Sequence, residues 1–153
     1  MTSMENLQRR KLLAGAAAAA LALARPAFAT SQEMAAAISA FTGGAAPKAG
    51  KVKLEVATLV DNGNAVPISV AVDSPMTAGE HVTAIAVFNE RNPQTDVVTF
   101  TLGPRAGKAL VSTRIRMATS QKLTAVARMN DGSFWSGSAD VIVTLAACVE
   151  GEG

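Results

Sequence analysis

Two side chains in this sequence can serve as nucleophile or base near neutral pH: Cys148, the only cysteine, and His81, the only histidine. Cys148 lies beyond the last apolar strand pattern, in Leu145-Ala146-Ala147-Cys148-Val149-Glu150-Gly151-Glu152-Gly153. Core cysteines usually sit inside periodic apolar runs. This one lies between small residues and an acidic, glycine-containing terminus, a position that favours access over packing. A thiol that visits several partners needs reach, and residues 145–148 extend it by roughly 10 Å from the last strand. The placement predicts a swinging covalent carrier with Cys148 as the attachment point. An odd cysteine in an exported chain closes no internal disulfide, so it is free, paired with another chain, or covalently loaded.

The other arrangements that can carry chemistry are weaker. Zinc and iron sites need several thiol or imidazole ligands, so no metal or other cofactor is expected from one cysteine and one histidine. A Cys-His hydrolase needs both groups held by rigid elements. His81 instead starts a strand in Gly79-Glu80-His81-Val82, while the thiol is on a terminal tail. Gly103-Pro104-Arg105-Ala106-Gly107-Lys108 lacks P-loop spacing and reads as a hairpin loop between two strands. Arg105, Arg114 and Arg116 can bind an anion such as a sulfur oxyanion, but such a group is more often a solvated face or part of a partner interface. No catalytic residue is assigned, and the chain reads as a carrier, not an enzyme.

Residues 1–29 read as a cleaved export signal. They hold Arg9-Arg10 followed by Lys11-Leu12-Leu13, an Ala- and Leu-rich run over residues 14–24, and Ala27-Phe28-Ala29 as an A-x-A cleavage site. The apolar run is too short to span a bilayer. The twin arginine resembles a Tat signal, which exports folded proteins to the periplasm; a Sec signal with two arginines is the alternative. Cleavage would remove four of the 14 basic residues (Arg9, Arg10, Lys11, Arg25) and one of the 12 acidic ones (Glu5), leaving a formal charge of −1. The mature chain then has neither a nucleic-acid stripe nor a basic membrane-seeking face, which leaves proteins or small molecules as partners.

About 124 residues remain, enough for one domain with its own core. Residues 30–44 form a short N-terminal helix region. Over residues 31–41, Met34, Ile38 and Phe41 recur at helical spacing, Ser31 is the expected N-cap, and Gly43-Gly44 ends the helix. It closes one end of the domain. From Lys51 the period changes to two. Strands are expected over 51–56, 66–72, 82–90, 97–102, 109–117, 123–129 and 133–145. In the fifth, Ser112, Arg114 and Arg116 face one way while Val111, Thr113, Ile115 and Met117 face the other. Asp61-Asn62-Gly63-Asn64 reads as a turn cluster that uses the positive φ tolerated by Gly and Asn, and Asn130-Asp131-Gly132-Ser133 as a hairpin turn. Pro67 argues for an edge position or a strand start. Trp135 reads as a core plug, with an interface anchor as the alternative. About seven strands with little helix predict an all-β, immunoglobulin-like antiparallel sandwich over residues 45–145, followed by a flexible tail over 146–153.

Asp61-Asn62-Gly63-Asn64-Ala65-Val66-Pro67, Val72-Asp73-Ser74-Pro75-Met76, Ile85-Ala86-Val87-Phe88, Asn92-Pro93, Thr101-Leu102-Gly103-Pro104-Arg105-Ala106-Gly107, Ser112-Thr113-Arg114-Ile115-Arg116 and Met129-Asn130-Asp131-Gly132-Ser133-Phe134-Trp135 together resemble SoxY. SoxY is the sulfur-substrate carrier subunit of the bacterial thiosulfate-oxidising Sox system. The likeness spans the signal and nearly the whole mature chain. It implies an immunoglobulin-like sandwich in a heterodimer with a SoxZ-like subunit, Tat export of the pair, and sulfur intermediates held on the tail cysteine, here Cys148. It also implies three transient partners: a haem enzyme that conjugates thiosulfate to the thiol, a hydrolase that releases sulfate, and a sulfur dehydrogenase that oxidises what remains. The tail departs from the family's Gly-Gly-Cys-Gly-Gly. Alanine and valine are stiffer and larger than glycine, and Glu150 and Glu152 add negative charge that raises a nearby thiol pKa. The alternative reading is an exported immunoglobulin-like binding or structural module whose cysteine joins two chains.

Overall fold

A computed structural model describes residues 30–147. The expected signal over 1–29 and the segment from Cys148 onward lie outside the described residues. Period-two patterning from Lys51 on does produce strands, and the domain is an immunoglobulin-like sandwich of two sheets. Its strands are β1 (Lys48–Ala49), β2 (Val52–Glu55), β3 (Leu59–Val60), β4 (Val66–Val72), β5 (Val82–Asn89), β6 (Asp96–Thr101), β7 (Leu110–Ile115), β8 (Gln121–Met129) and β9 (Phe134–Val143). The larger sheet runs β1-β9-β8-β5-β6, with β3 also on β9, and the smaller runs β2-β4-β7. Buried Val66, Ile68, Val70 and Val72 of β4 meet Ile85, Val87, Leu123, Ala125 and Val141 of the larger sheet in the core. Alternation holds in β7, where Ser112 and Arg114 are exposed and Ile115 is buried.

Among the described residues nine strands replace the expected seven, because β1 and β3 are two-residue elements, too short to show a period. Both pair parallel with β9, Lys48 opposite Trp135 and Leu59 opposite Ile142. Between β1 and β2 the chain changes sheets through Gly50 and Lys51, whose φ of 109° and 56° lie in the left-handed region. Pro67 is the second residue of β4, the central strand of its sheet. It pairs with Arg114 on one side, and on the other it lies beyond Ser69, where β2 pairing ends.

The helix, α1 (Ser31–Thr42), is capped one residue earlier than expected. Thr30, not Ser31, is the N-cap: its Oγ1 accepts from the Glu33 N–H at 3.2 Å, and Glu33 returns a carboxylate to the Thr30 N–H at 2.7 Å. Instead of closing an end of the domain, α1 lies on the outer face of the larger sheet. Met34, Ala37, Ile38 and Phe41 pack on Ala86, Phe88, Val126 and Phe134. Phe41 meets Phe88 and Phe134 edge-on, with ring centroids 5.9 and 6.0 Å apart. This second apolar layer explains why β5 is buried on both faces.

The segment 103–108 is no hairpin. β6 pairs with β5 in the larger sheet and β7 with β4 in the smaller one, so Pro104–Ala106 is a 3-10 turn in a crossover between sheets. The crossover puts Arg105 at the Leu110 end of β7 and Arg116 just past its Ile115 end, roughly 20 Å away along the strand. The three arginines therefore do not converge. Trp135 is half-buried against the core, with the ammonium groups of Lys48 and Lys51 5.6 and 5.4 Å from its ring centroid. It acts as a capped plug.

Candidate functional site: the root of the C-terminal tether

β9 ends at Val143, and the backbone that leads to the thiol is held for four more residues. The Thr144 N–H donates to Val60 O at 3.0 Å. Its hydroxyl donates to Asp61 O at 3.2 Å. Leu145 O accepts from the Gly63 N–H at 2.8 Å, and the Ala147 N–H donates to Met117 O at 3.1 Å. Ala147 is only 6% exposed. The lever expected to begin at Leu145 is thus anchored through Ala147, and the length free to swing is shorter than the roughly 10 Å expected from sequence. Cys148 is the next residue and lies outside the described ones.

Gly63 and Met117 form the floor of this root. The Met117 N–H donates to Gly63 O at 2.8 Å, so Gly63 uses both backbone groups, one toward the tail and one toward the floor. Gly63 is buried and its φ is not positive. Turn chemistry is therefore not why glycine stands here. The Asx turn belongs to Asn62, whose Oδ1 accepts from the Asn64 N–H at 2.9 Å. What requires glycine is close approach: a Cβ would overlap Met117 O and lie 2.9 Å from Ala147 N and 3.1 Å from Val143 Cγ1.

Met117 is held in turn by its neighbours. Its side chain is fully buried, and Asn92 grips the backbone on either side of it. Asn92 Nδ2 donates to Arg116 O at 2.8 Å, and Asn92 Oδ1 accepts from the Ala118 N–H at 3.0 Å. The same oxygen accepts from Gln121 Nε2 at 2.7 Å, while Gln121 Oε1 accepts from the Arg91 N–H at 2.9 Å. Buried Asn89 completes the network by accepting from the Asn92 N–H at 3.0 Å. Such a network is rigid when every member is satisfied, and among the described residues no buried side-chain polar atom lacks a partner. None of Gly63, Met117, Asn92 or Gln121 stood out in the sequence as a functional position. Asn62-Gly63-Asn64 carried the one usable signal, and it reads as an ordinary turn.

The rim of the root is apolar. Leu59, Ile142 and Leu145 are 57%, 59% and 62% exposed, and Leu59 stands directly opposite Ile142. Cross-strand partners point to one face, so these two side chains form a ridge beside the tail.

His81 lies elsewhere. Its Nδ1 is 3.0 Å from Thr77 O, and its N–H donates to Asn130 Oδ1 at 3.0 Å, which fixes it at the Met129 end of β8. The tail root is at the Gln121 end, where the Val143 N–H donates to Ser120 Oγ at 2.9 Å. The nine residues of β8 separate these ends by roughly 27 Å, so His81 and the root of the tail lie at opposite ends of the strand. Among the described residues no three His, Cys, Asp or Glu side chains are grouped to hold a metal ion, and no helix is long and apolar enough to cross a membrane.

An immunoglobulin-like sandwich whose last strand feeds an anchored cysteine-bearing tail is the class of protein this geometry defines. The family profile of the sulfur oxidation protein SoxY matches residues 38–148. The chain belongs to the SoxY family. Among solved structures it is similar to the sulfur carrier protein SoxY from Chlorobium limicola f thiosulfatophilum, with 28% identity and a TM-score of 0.62 over 76% of this chain and 100% of that one. The fold is shared more widely. A superoxide reductase (neelaredoxin) from Ignicoccus hospitalis superposes with a TM-score of 0.56 at 14% identity, covering 76% of this chain and 95% of that one. A putative superoxide reductase from Thermotoga maritima superposes with a TM-score of 0.53 at 21% identity, covering 67% and 89%. Among curated proteins no sequence matches significantly.

Proposed function

We propose that this chain is a periplasmic sulfur carrier that holds thiosulfate-derived intermediates on Cys148 and presents them to separate enzymes. The observation that carries this reading is the SoxY family match, which runs through residue 148 and so includes the cysteine. The similarity to a sulfur carrier over the whole of that protein supports it. Export follows from the leader over 1–29. The sandwich, paired with a SoxZ-like subunit, serves as the handle, and the apolar ridge of Leu59 and Ile142 beside the tail suits contact with protein partners.

Loading joins the Cys148 thiolate to the outer sulfur of thiosulfate. One S–S bond forms, and two electrons pass to the haem enzyme. Water then cleaves the S–S bond to the sulfonate: sulfate and two protons leave, and a persulfide anion remains on Cys148 for the sulfur dehydrogenase. The carrier supplies position and a nucleophile, and the other enzymes supply catalysis.

Intact-mass spectrometry of protein purified from its native periplasm, with and without reductant, tests the reading. The expected result is a reductant-sensitive mass increase on Cys148 that matches added sulfur or thiosulfonate. A clean free thiol would sink the carrier reading, and a reducible homodimer at twice the mass would replace it with an inter-chain disulfide.

A further inference from the structure

We propose that Gly63 is a positioning residue for the carrier thiol: it admits the tail backbone against Met117 and thereby fixes where the tether leaves the domain. The inference rests on the carrier reading for its functional meaning, while its geometry is independent of any sulfur chemistry. Three backbone hydrogen bonds join three separate segments at this point, Gly63 N–H to Leu145 O, Met117 N–H to Gly63 O, and Ala147 N–H to Met117 O. Gly63 takes part in two of them.

A side chain at residue 63 forces one of these segments to move. The atoms a Cβ would meet are Met117 O, Ala147 N and Val143 Cγ1, two backbone atoms and one stiff β-branched carbon, none of them the end of a flexible side chain. Met117 cannot withdraw, because its side chain is fully buried and Asn92 holds the peptide groups on both sides of it. Val143 belongs to β9 and donates to Ser120. Withdrawal of the tail alone would leave the overlap with Met117 O in place, so residue 63 must back away through its own loop, where Asp61, Asn62 and Asn64 are exposed. Its N–H then lets go of Leu145 O, and with that tie lost and a methyl group beside the Ala147 N–H, residues 145–147 come free. Gly63→Ala therefore frees the tail root and spares the sandwich. The release adds three residues, roughly 10 Å, to the swinging segment and spreads the thiol over a larger volume, which lowers its effective concentration at any one docking point.

Amide hydrogen exchange on the full exported chain, together with electron paramagnetic resonance of a nitroxide attached to Cys148, tests the proposal. In the unmodified sequence the Ala147 amide should exchange at least about tenfold more slowly than a free amide. In Gly63→Ala that protection should vanish while Val126 and Ala127 in β8 keep theirs, and the nitroxide spectrum should narrow as the tether gains freedom. An unprotected Ala147 amide in the unmodified chain, or unchanged protection and line width in the variant, overturns the proposal. If Gly63→Ala does not fold, Ala147→Pro decides the matter, since it removes the donated N–H without adding an atom at residue 63. A narrowed nitroxide line on an intact sandwich supports the clamp, and an unchanged line overturns it. None of these readouts uses sulfur, so a failure of the carrier reading in the mass measurement stays distinguishable from a failure of the clamp.

Discussion

The two ends of the sandwich are closed by different physics. At the Trp135 end, exposed groups do the closing: Lys48 and Lys51 lie near the indole, Lys51 pairs with Glu80 at 3.2 Å, and His81 is tied to a surface loop. At the opposite end, backbone bonds do it, through Gly63, Met117, Thr144 and Ala147, backed by the amide network of Asn89, Asn92 and Gln121. Exposed charge pairs and cation–π contacts contribute little and change easily. Buried amide networks cost much to break and hold one geometry. The rigid end is the one that carries the tether, which is the arrangement a carrier needs if its thiol is to start each excursion from one place.

The largest expected contrast between the ends is functional. Cys148→Ser should abolish sulfur loading in a reconstituted system and leave the denaturation midpoint unchanged, while His81→Ala, at the other end of β8, should load normally. Loading that survives the serine, or is lost with the alanine, would break the comparison. On stability the rigid end should dominate. Asn92→Ala removes two acceptor contacts and one donor contact around Met117 and should cost about 2–4 kcal/mol in urea denaturation. Lys51→Met, which keeps the apolar stem and removes the charge, should cost no more than about 1 kcal/mol. Equal effects would mean that the two ends are not built differently. The α1 layer lies between these extremes: Phe41→Ala should cost about 2–3 kcal/mol, less than a fully buried phenylalanine because Phe41 is only half-buried.

Much of this architecture was legible in the sequence, because period-two alternation is a local property. The alternation of Ser112 and Arg114 with Val111, Thr113 and Ile115, the turn at Asn130-Asp131-Gly132-Ser133 with Gly132 at φ 82°, and the helical stripe of Met34, Ile38 and Phe41 all needed only neighbouring residues. What stayed hidden depends on distant partners. Nothing local distinguishes Gly63, a close-approach glycine, from a turn glycine, since only Met117 and Ala147 reveal its role. The link from Asn92 to Gln121 spans 29 residues. The hairpin reading of 103–108 failed for a similar reason: two adjacent strands joined by a Gly-Pro loop look alike whether they share a sheet or change sheets.

The smallest effect concerns Asp131 in that Asn130-Asp131-Gly132-Ser133 turn, at the Trp135 end. The Ser133 hydroxyl and N–H both donate to Asp131 Oδ1, at 2.6 and 2.8 Å. These bonds favour the ionised carboxylate and hold its pKa below the ordinary carboxylate range. A carboxyl whose pKa is lowered on folding adds stability above its unfolded pKa and loses it as pH falls through the folded value. The contribution is therefore present at neutral pH and disappears only under acid conditions, below about pH 4. Asp131→Asn keeps an acceptor oxygen and removes the charge, so the gap between its urea midpoint and that of the unmodified chain should be small at pH 7 and close as the pH drops. Equal midpoints at every pH, neutral included, would show that the turn is held by the acceptor geometry alone. The Trp135 end would then owe still less to charge than the contrast between the two ends assumes.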